Sequence, residues 1–423
     1  MFPSLPAIIC IFNAFSFSHF QPRPERILLN QKPLQGTTNP MKLLMILLTS
    51  MAVHAQAAWD LNDVTYLMPL PQSVDGDSLL KLESPGRGGA LLPVSMVNQL
   101  PVLAIDRTRP EVNSTLRVMA VRIDPCFPLP TPQSCQRQIR LAWQPIELNR
   151  RNEVETVDAA LHSFYVLQDW EFANLLKEIS AWKSKYSVNT KYLPLQVHPA
   201  WATEKDASPA LAEFQKIILK YAGIENFSRV TAMVLRGNGD MWAFAGFEPR
   251  GGKLELLPIP RLNRLSQSFI NMAVPADHFS GGGISPIPKG DDTFNNLAAE
   301  SIRMGEGTED TIREEVRAAF RIENPKFFNP ENMDCVSCHV AQPAIHWVLN
   351  KRPELQVEKL WSQEIYGNPK YNLKNTSVEI WNTQQIRALG YFGKNVAISQ
   401  RVINESAEVA DFINRITAPK SEE

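Results

Sequence analysis

The sequence predicts an α+β fold, with a strand-rich N-terminal region followed by a mainly helical C-terminal one. Three observations predict it. Val230–Leu235 and Met241–Phe247 are joined through Gly237-Asn238-Gly239-Asp240, and Gly251-Gly252 then leads into Leu254–Ile259, a three-stranded meander. Helical spacing late in the chain puts Ile312, Val316, Ala319 and Phe320 on one face, and later Val409, Phe412, Ile413 and Ile416 on another. Thirty-two prolines against 20 glycines favour rigid loops and short strands before that point.

Taken in order, residues 1–57 differ from the rest. From Met41 the chain has a basic residue, an apolar run over Leu43–Val53 and an Ala55-x-Ala57 end, the three parts of a secretory signal peptide with cleavage after Ala57. The run is too short to span a bilayer. Met41 is therefore the expected start, residues 41–57 the signal peptide, and residues 1–40 a mis-called or disordered leader. Removing residues 1–57 leaves 39 basic and 43 acidic residues. That near-neutral balance gives no reason to expect nucleic acid as a partner. No later apolar run is long enough to cross a membrane, so an exported, periplasmic protein with no transmembrane segment in its mature chain is expected.

Residues 58–265 read as an α+β domain of unknown role. Residues 58–150 hold short strands and Pro-rich loops, with strands expected at Leu116–Ile123 and Gln138–Trp143. Helices follow at Asp169–Lys183, with Trp170, Ala173, Leu176 and Ile179 spaced as one stripe, and at Ala210–Tyr221, stopped by Gly223. Residues 266–330 read as a linker with two helices, the second near Thr308–Arg321. Beyond it, Val357–Ile365 and Glu405–Ile416 are expected helices, and Pro343 is able to open a separate one at Pro343–Asn350.

The five cysteines divide by position. Cys10 falls in the leader. Cys126 and Cys135 flank a Pro-rich loop between two expected strands, and a disulfide closing it suits an exported chain. Cys335 and Cys338 belong to Cys335-Val336-Ser337-Cys338-His339. Two thiols at this spacing reach both vinyl groups along one haem edge as thioethers. The histidine that follows is turned over the ring with a nitrogen on the iron. A thioredoxin-type redox pair needs a strand leading into it, whereas Asn324-Pro325 to Asn332 reads as a loop. A zinc site using Cys335, Cys338 and His346 lacks a second cysteine pair nearby.

Over Glu331–Trp347 the chain resembles the c-type cytochromes, on that five-residue signature alone. The resemblance implies one covalent haem c, with Cys335 and Cys338 as thioether residues and His339 as proximal iron ligand. Residues 331–423 would then form a mainly helical c-type haem domain, and a redox protein would be the partner. The family's usual downstream methionine is missing, because no methionine follows His339. Met304, His278 and His346 are the sixth-ligand candidates, with Met272 and Met333 also upstream. Electron transfer is the expected role, rather than catalysis. The alternatives are an open iron site acting as a peroxidase or gas or redox sensor, and a periplasmic binding protein with a structural haem.

Overall fold

The computed structural model describes residues 58–74, 78–100, 112–128, 135–156, 159–203, 208–236, 241–271, 281–299, 304, 307–377, 386 and 388–418. The expected leader and signal peptide, with Met41, lie outside them, as do Met272, His278 and the 237–240 turn. Among the described residues no helix is long and apolar enough to cross a membrane.

Among the described residues, ten strands form one antiparallel sheet: β1 (Thr65–Leu67), β2 (Leu116–Pro128), β3 (Cys135–Leu148), β4 (Val154–Thr156), β5 (Ala159–Leu167), β6 (Phe227–Arg236), β7 (Met241–Arg250), β8 (Lys253–Leu257), β9 (Gln267–Asn271) and β10 (Gly281–Ser285). Their order is β1-β2-β3-β5-β6-β7-β9-β10, with β4 paired to β3 and β8 to β7. The expected meander is β6, β7 and β8. Its second turn has Gly251 at φ +54° and Gly252 at φ +78°, the left-handed pair that a two-residue hairpin needs. The β2–β3 hairpin is longer than expected, and the sulfurs of Cys126 and Cys135 are bonded at its tip.

The sheet divides two cores. On one face Leu141, Trp143, Leu161, Tyr165 and Phe247 pack against the helices α1 (Asp169–Lys185) and α2 (Pro209–Tyr221). The α1 stripe is Phe172, Leu175, Leu176, Ile179 and Trp182, so the expected stripe through Trp170 is corrected. Trp170 is 66% exposed, because it sits more than half a turn away from Phe172 around the helix. On the other side, Phe244 and Phe269 meet α3 (Glu309–Glu323) and α4 (Cys335–Lys351). The α3 face is the expected one, with Ile312, Val316, Ala319 and Phe320 all buried, and Thr308 caps its start.

Four expectations about the C-terminal half change. Residues 266–330 do not separate two bodies, since β9 and β10 extend the sheet and Gln56–Glu423 form one compact unit. Pro343 opens no new helix and sits inside a continuous α4. The helix expected over Val357–Ile365 ends at Leu360. The last helix, α5 (Gln400–Thr417), begins five residues earlier than expected, with Ser399 as its cap. Before it runs the hairpin β11 (Leu389–Phe392) and β12 (Asn395–Ile398).

Candidate functional site

A cavity of about 620 Å³ lies between the second face of the sheet and the helices α4 and α5. Strand register builds its floor. Arg122 on β2 pairs with Arg140 on β3, and Arg140 with Phe164 on β5. His162 on β5 is opposite Ala142 on one side and Thr231 on the other, and Thr231 is opposite Gly246 on β7. Cross-strand partners point to the same side, so this face carries small residues at its centre with arginines along one margin.

The opposite wall is the first turn of α4. Asp334 caps the helix by accepting from the Ser337 N–H at 3.1 Å. Gln267 on β9 fastens the same turn twice, donating to Asp334 Oδ2 at 2.8 Å and accepting from the Val336 N–H at 2.9 Å. Residues three and four apart share a helix face, so Cys335, Cys338 and His339 stand together, and all three line the cavity. Their sulfurs are not joined to each other. Burial pushes both thiols up to about 12, although a helix N-terminus ordinarily favours the thiolate. What surface they keep opens onto the cavity, so protein surrounds them and they stay protonated at neutral pH.

His339 is held in one orientation. Its Nδ1 is 2.6 Å from the Ile386 carbonyl, which only accepts, so Nδ1 carries the proton and Nε2 the lone pair. Its ring lies 5.1 Å from that of Phe244 on β7. Gln144 on β3 anchors the nearby β11 strand, donating to the Tyr391 carbonyl at 3.0 Å and accepting from its N–H at 2.8 Å. Gly390 makes that approach possible: at φ +142°, a Cβ there would stand 2.1 Å from Gln144 Oε1.

Charge at the margin is an alternating buried chain. Arg401 donates to Glu405 at 2.7 Å, Glu405 accepts from Arg122 at 2.5 Å, and Asp124 holds both Arg122 and Arg140, at 2.8 and 3.1 Å. Burial alone would raise the Glu405 carboxyl, but Arg401, Arg122 and Arg140 hold it well below the usual range. Arg229 pairs with Glu331 at 2.7 Å. Arg140 also stacks over Phe164, and its buried Nε has no hydrogen-bond partner among the described residues. An orphaned guanidinium N–H beside an apolar cavity fits a ligand with a carboxylate at its edge, as haem has.

The sixth-ligand candidates fare differently. Met304 is buried in the core on the α3 and α4 side and does not line the cavity. His346 lies two turns beyond His339 on the same continuous helix, about 10 Å along its axis, and is also absent from the lining. His278 and Met272 are outside the described residues. Met333 does line the cavity, together with Met233.

Sequence reasoning passed over His162. It stands in mid-strand on β5, and its imidazole lines the same cavity as His339. Burial, reinforced by the charges of Arg140, His339 and Arg122, pushes it down to about 3, so the ring is neutral. The available signal was alternation: Ala160, His162 and Phe164 share one face of a strand whose other face is Leu161, Ser163 and Tyr165.

Competing cysteine chemistries meet obstacles. A redox pair relies on an acidified thiol, and these two are half-buried and shifted the other way. Zinc on Cys335, Cys338 and His346 would need the helix to fold back, since Cys338 and His346 are about 12 Å apart along it. Among the described residues no three His, Cys, Asp or Glu side chains converge to hold a metal ion. Haem would draw only one axial nitrogen and two sulfurs from α4. Comparison with protein-family models, with curated proteins and with solved structures returns no match.

Proposed function

We propose that this chain is an exported monohaem c-type protein whose role is electron transfer. Cys335 and Cys338 would form the thioethers and His339 would be the proximal ligand, with Nδ1 held by the Ile386 carbonyl. The observation that carries this reading is the convergence of both thiols and the His339 imidazole on one wall of a single cavity. Its volume falls within the roughly 300–1,000 Å³ usual for cofactor sites. Haem bound there supplies one-electron chemistry at its iron. The chain's own part is to fix the His339 tautomer, pack Phe244 against the His339 ring, and balance the haem carboxylates with the arginine margin. A redox protein is the proposed partner, and the signal peptide from Met41 would deliver the chain to the compartment where such haem is attached.

The test is production in a host that attaches c-type haem to exported proteins. Wild-type chain should carry haem that survives denaturation, and the double variant Cys335→Ala, Cys338→Ala should not. Wild-type protein that folds and leaves the cytoplasm without covalent haem would remove the proposal. A second reading, an open-site peroxidase or gas sensor, draws on the polar groups Arg140 and Thr231 in the same cavity. A high-spin spectrum that shifts with carbon monoxide would select it.

A further inference from the structure

We propose that His162 is the second axial ligand, meeting the iron from the sheet side while His339 meets it from the helix side. This rests on reading Cys335–His339 as the haem attachment site, and it supplies the ligand that no residue downstream of His339 provides.

Four observations carry it. His162 and His339 are the two imidazoles on the cavity lining among the described residues, and they come from opposite walls, β5 and α4. Neither ring nitrogen of His162 has a hydrogen-bond partner among the described residues. His198 differs in place: it is fully buried in the other core, stacked on Tyr66, with Nδ1 accepting from the Ala200 N–H, and it does not line this cavity although its Nε2 is unpaired among the described residues. His162 is partly buried and its ring lines the cavity, so an unpartnered imidazole nitrogen is open to a ligand held there. The flanking cross-strand residues are Ala142 and Thr231, too short to fill the space in front of the ring. β5 has β3 on one side and β6 on the other, so a ligand there is fixed by two ladders rather than carried on a loop.

Met233 is the main rival. It lines the cavity too, one strand away, but it is packed within the core formed by Trp242, Phe244 and Phe269. Met333 lies two residues before Cys335, on the wall that already carries the attachment site. A His/His iron is low-spin and lacks the sulfur–iron absorption band, and its potential lies below that of a His/Met iron, because methionine raises it.

The experiment uses the full chain with its haem attached. Wild type should be low-spin without a sulfur–iron band. His162→Gly, still covalently loaded, should turn high-spin and bind carbon monoxide, and added imidazole should return it to low-spin. Met233→Leu should leave the spectrum as it was. A sulfur–iron band in wild type, a high-spin wild type, or a His162→Gly spectrum identical to wild type would each overturn the proposal. Should His162→Gly not fold, the wild-type electron paramagnetic resonance spectrum decides alone, since His/His and His/Met irons give different signals. Loss of covalent haem from wild type is a separate result, and it would instead strike the attachment reading.

Discussion

Gln267 holds the first turn of α4 in place through its side-chain amide. It is 2% exposed, and its amide makes two hydrogen bonds to α4, one to the Asp334 carboxylate and one from the Val336 N–H. Gln267→Leu keeps most of the side-chain volume and removes both. The bond to the carboxylate contributes about 1.5–3 kcal/mol, and stranding the buried Val336 N–H costs about 1–3 kcal/mol. Leucine recovers on the order of 1 kcal/mol through added apolar burial. A net loss of roughly 3 kcal/mol is expected, read from urea unfolding of the haem-free chain. Gln267→Glu separates the two contacts, because it still accepts from Val336 but sets a second carboxylate against Asp334. Its destabilisation should be larger above neutral pH than in mild acid. If Gln267→Leu costs less than about 1 kcal/mol, the amide does not hold the turn and the reasoning is refuted.

Two further predictions concern stability. Burial pushes the Glu323 carboxyl up to about 8, against a partial opposing effect of Arg401. Folded chain therefore holds a proton there that unfolded chain releases above about 4.5, so stability should fall as pH rises from about 4.5 to 8. Glu323→Gln should flatten that fall in a thermal-melt series, by on the order of 3 kcal/mol at neutral pH, and an unchanged slope would contradict it. Replacing Cys126 and Cys135 with serine opens a loop of sequence separation 9 and should cost roughly 2–3 kcal/mol by chemical denaturation, while leaving the cavity and its spectrum unaltered.

The parts legible in the sequence are those whose signal is local. The 230–259 meander shows in its glycine turn and strand alternation, and α3 in its apolar stripe and its Thr308 cap. α5 shows a helical stripe in the sequence only from Glu405 onward. Its first turns bury Arg401, Asn404, Glu405 and Ser406, so polar residues occupy the inward face and hide the amphipathic pattern. β9 and β10 look like linker in the sequence, because they are short and Gly281-Gly282-Gly283 has little strand preference of its own. Pairing with β7 and with each other makes them strands. The cavity is the least legible feature. Its floor comes from β2 to β7 and its far wall from α4 and α5, and spacing along the chain does not encode which histidine faces His339. His162 reads locally as one more core residue in an apolar strand, and its unpartnered ring becomes visible only once the strands are paired.

The intact mass of denatured wild-type protein decides whether Cys335 and Cys338 carry covalent haem. Produced with c-type maturation, the chain should weigh one haem more than its polypeptide, with the added mass on the peptide spanning 335–339. A mass lower by the two hydrogens of a Cys335–Cys338 disulfide, or one equal to the polypeptide with both thiols free, would contradict the account.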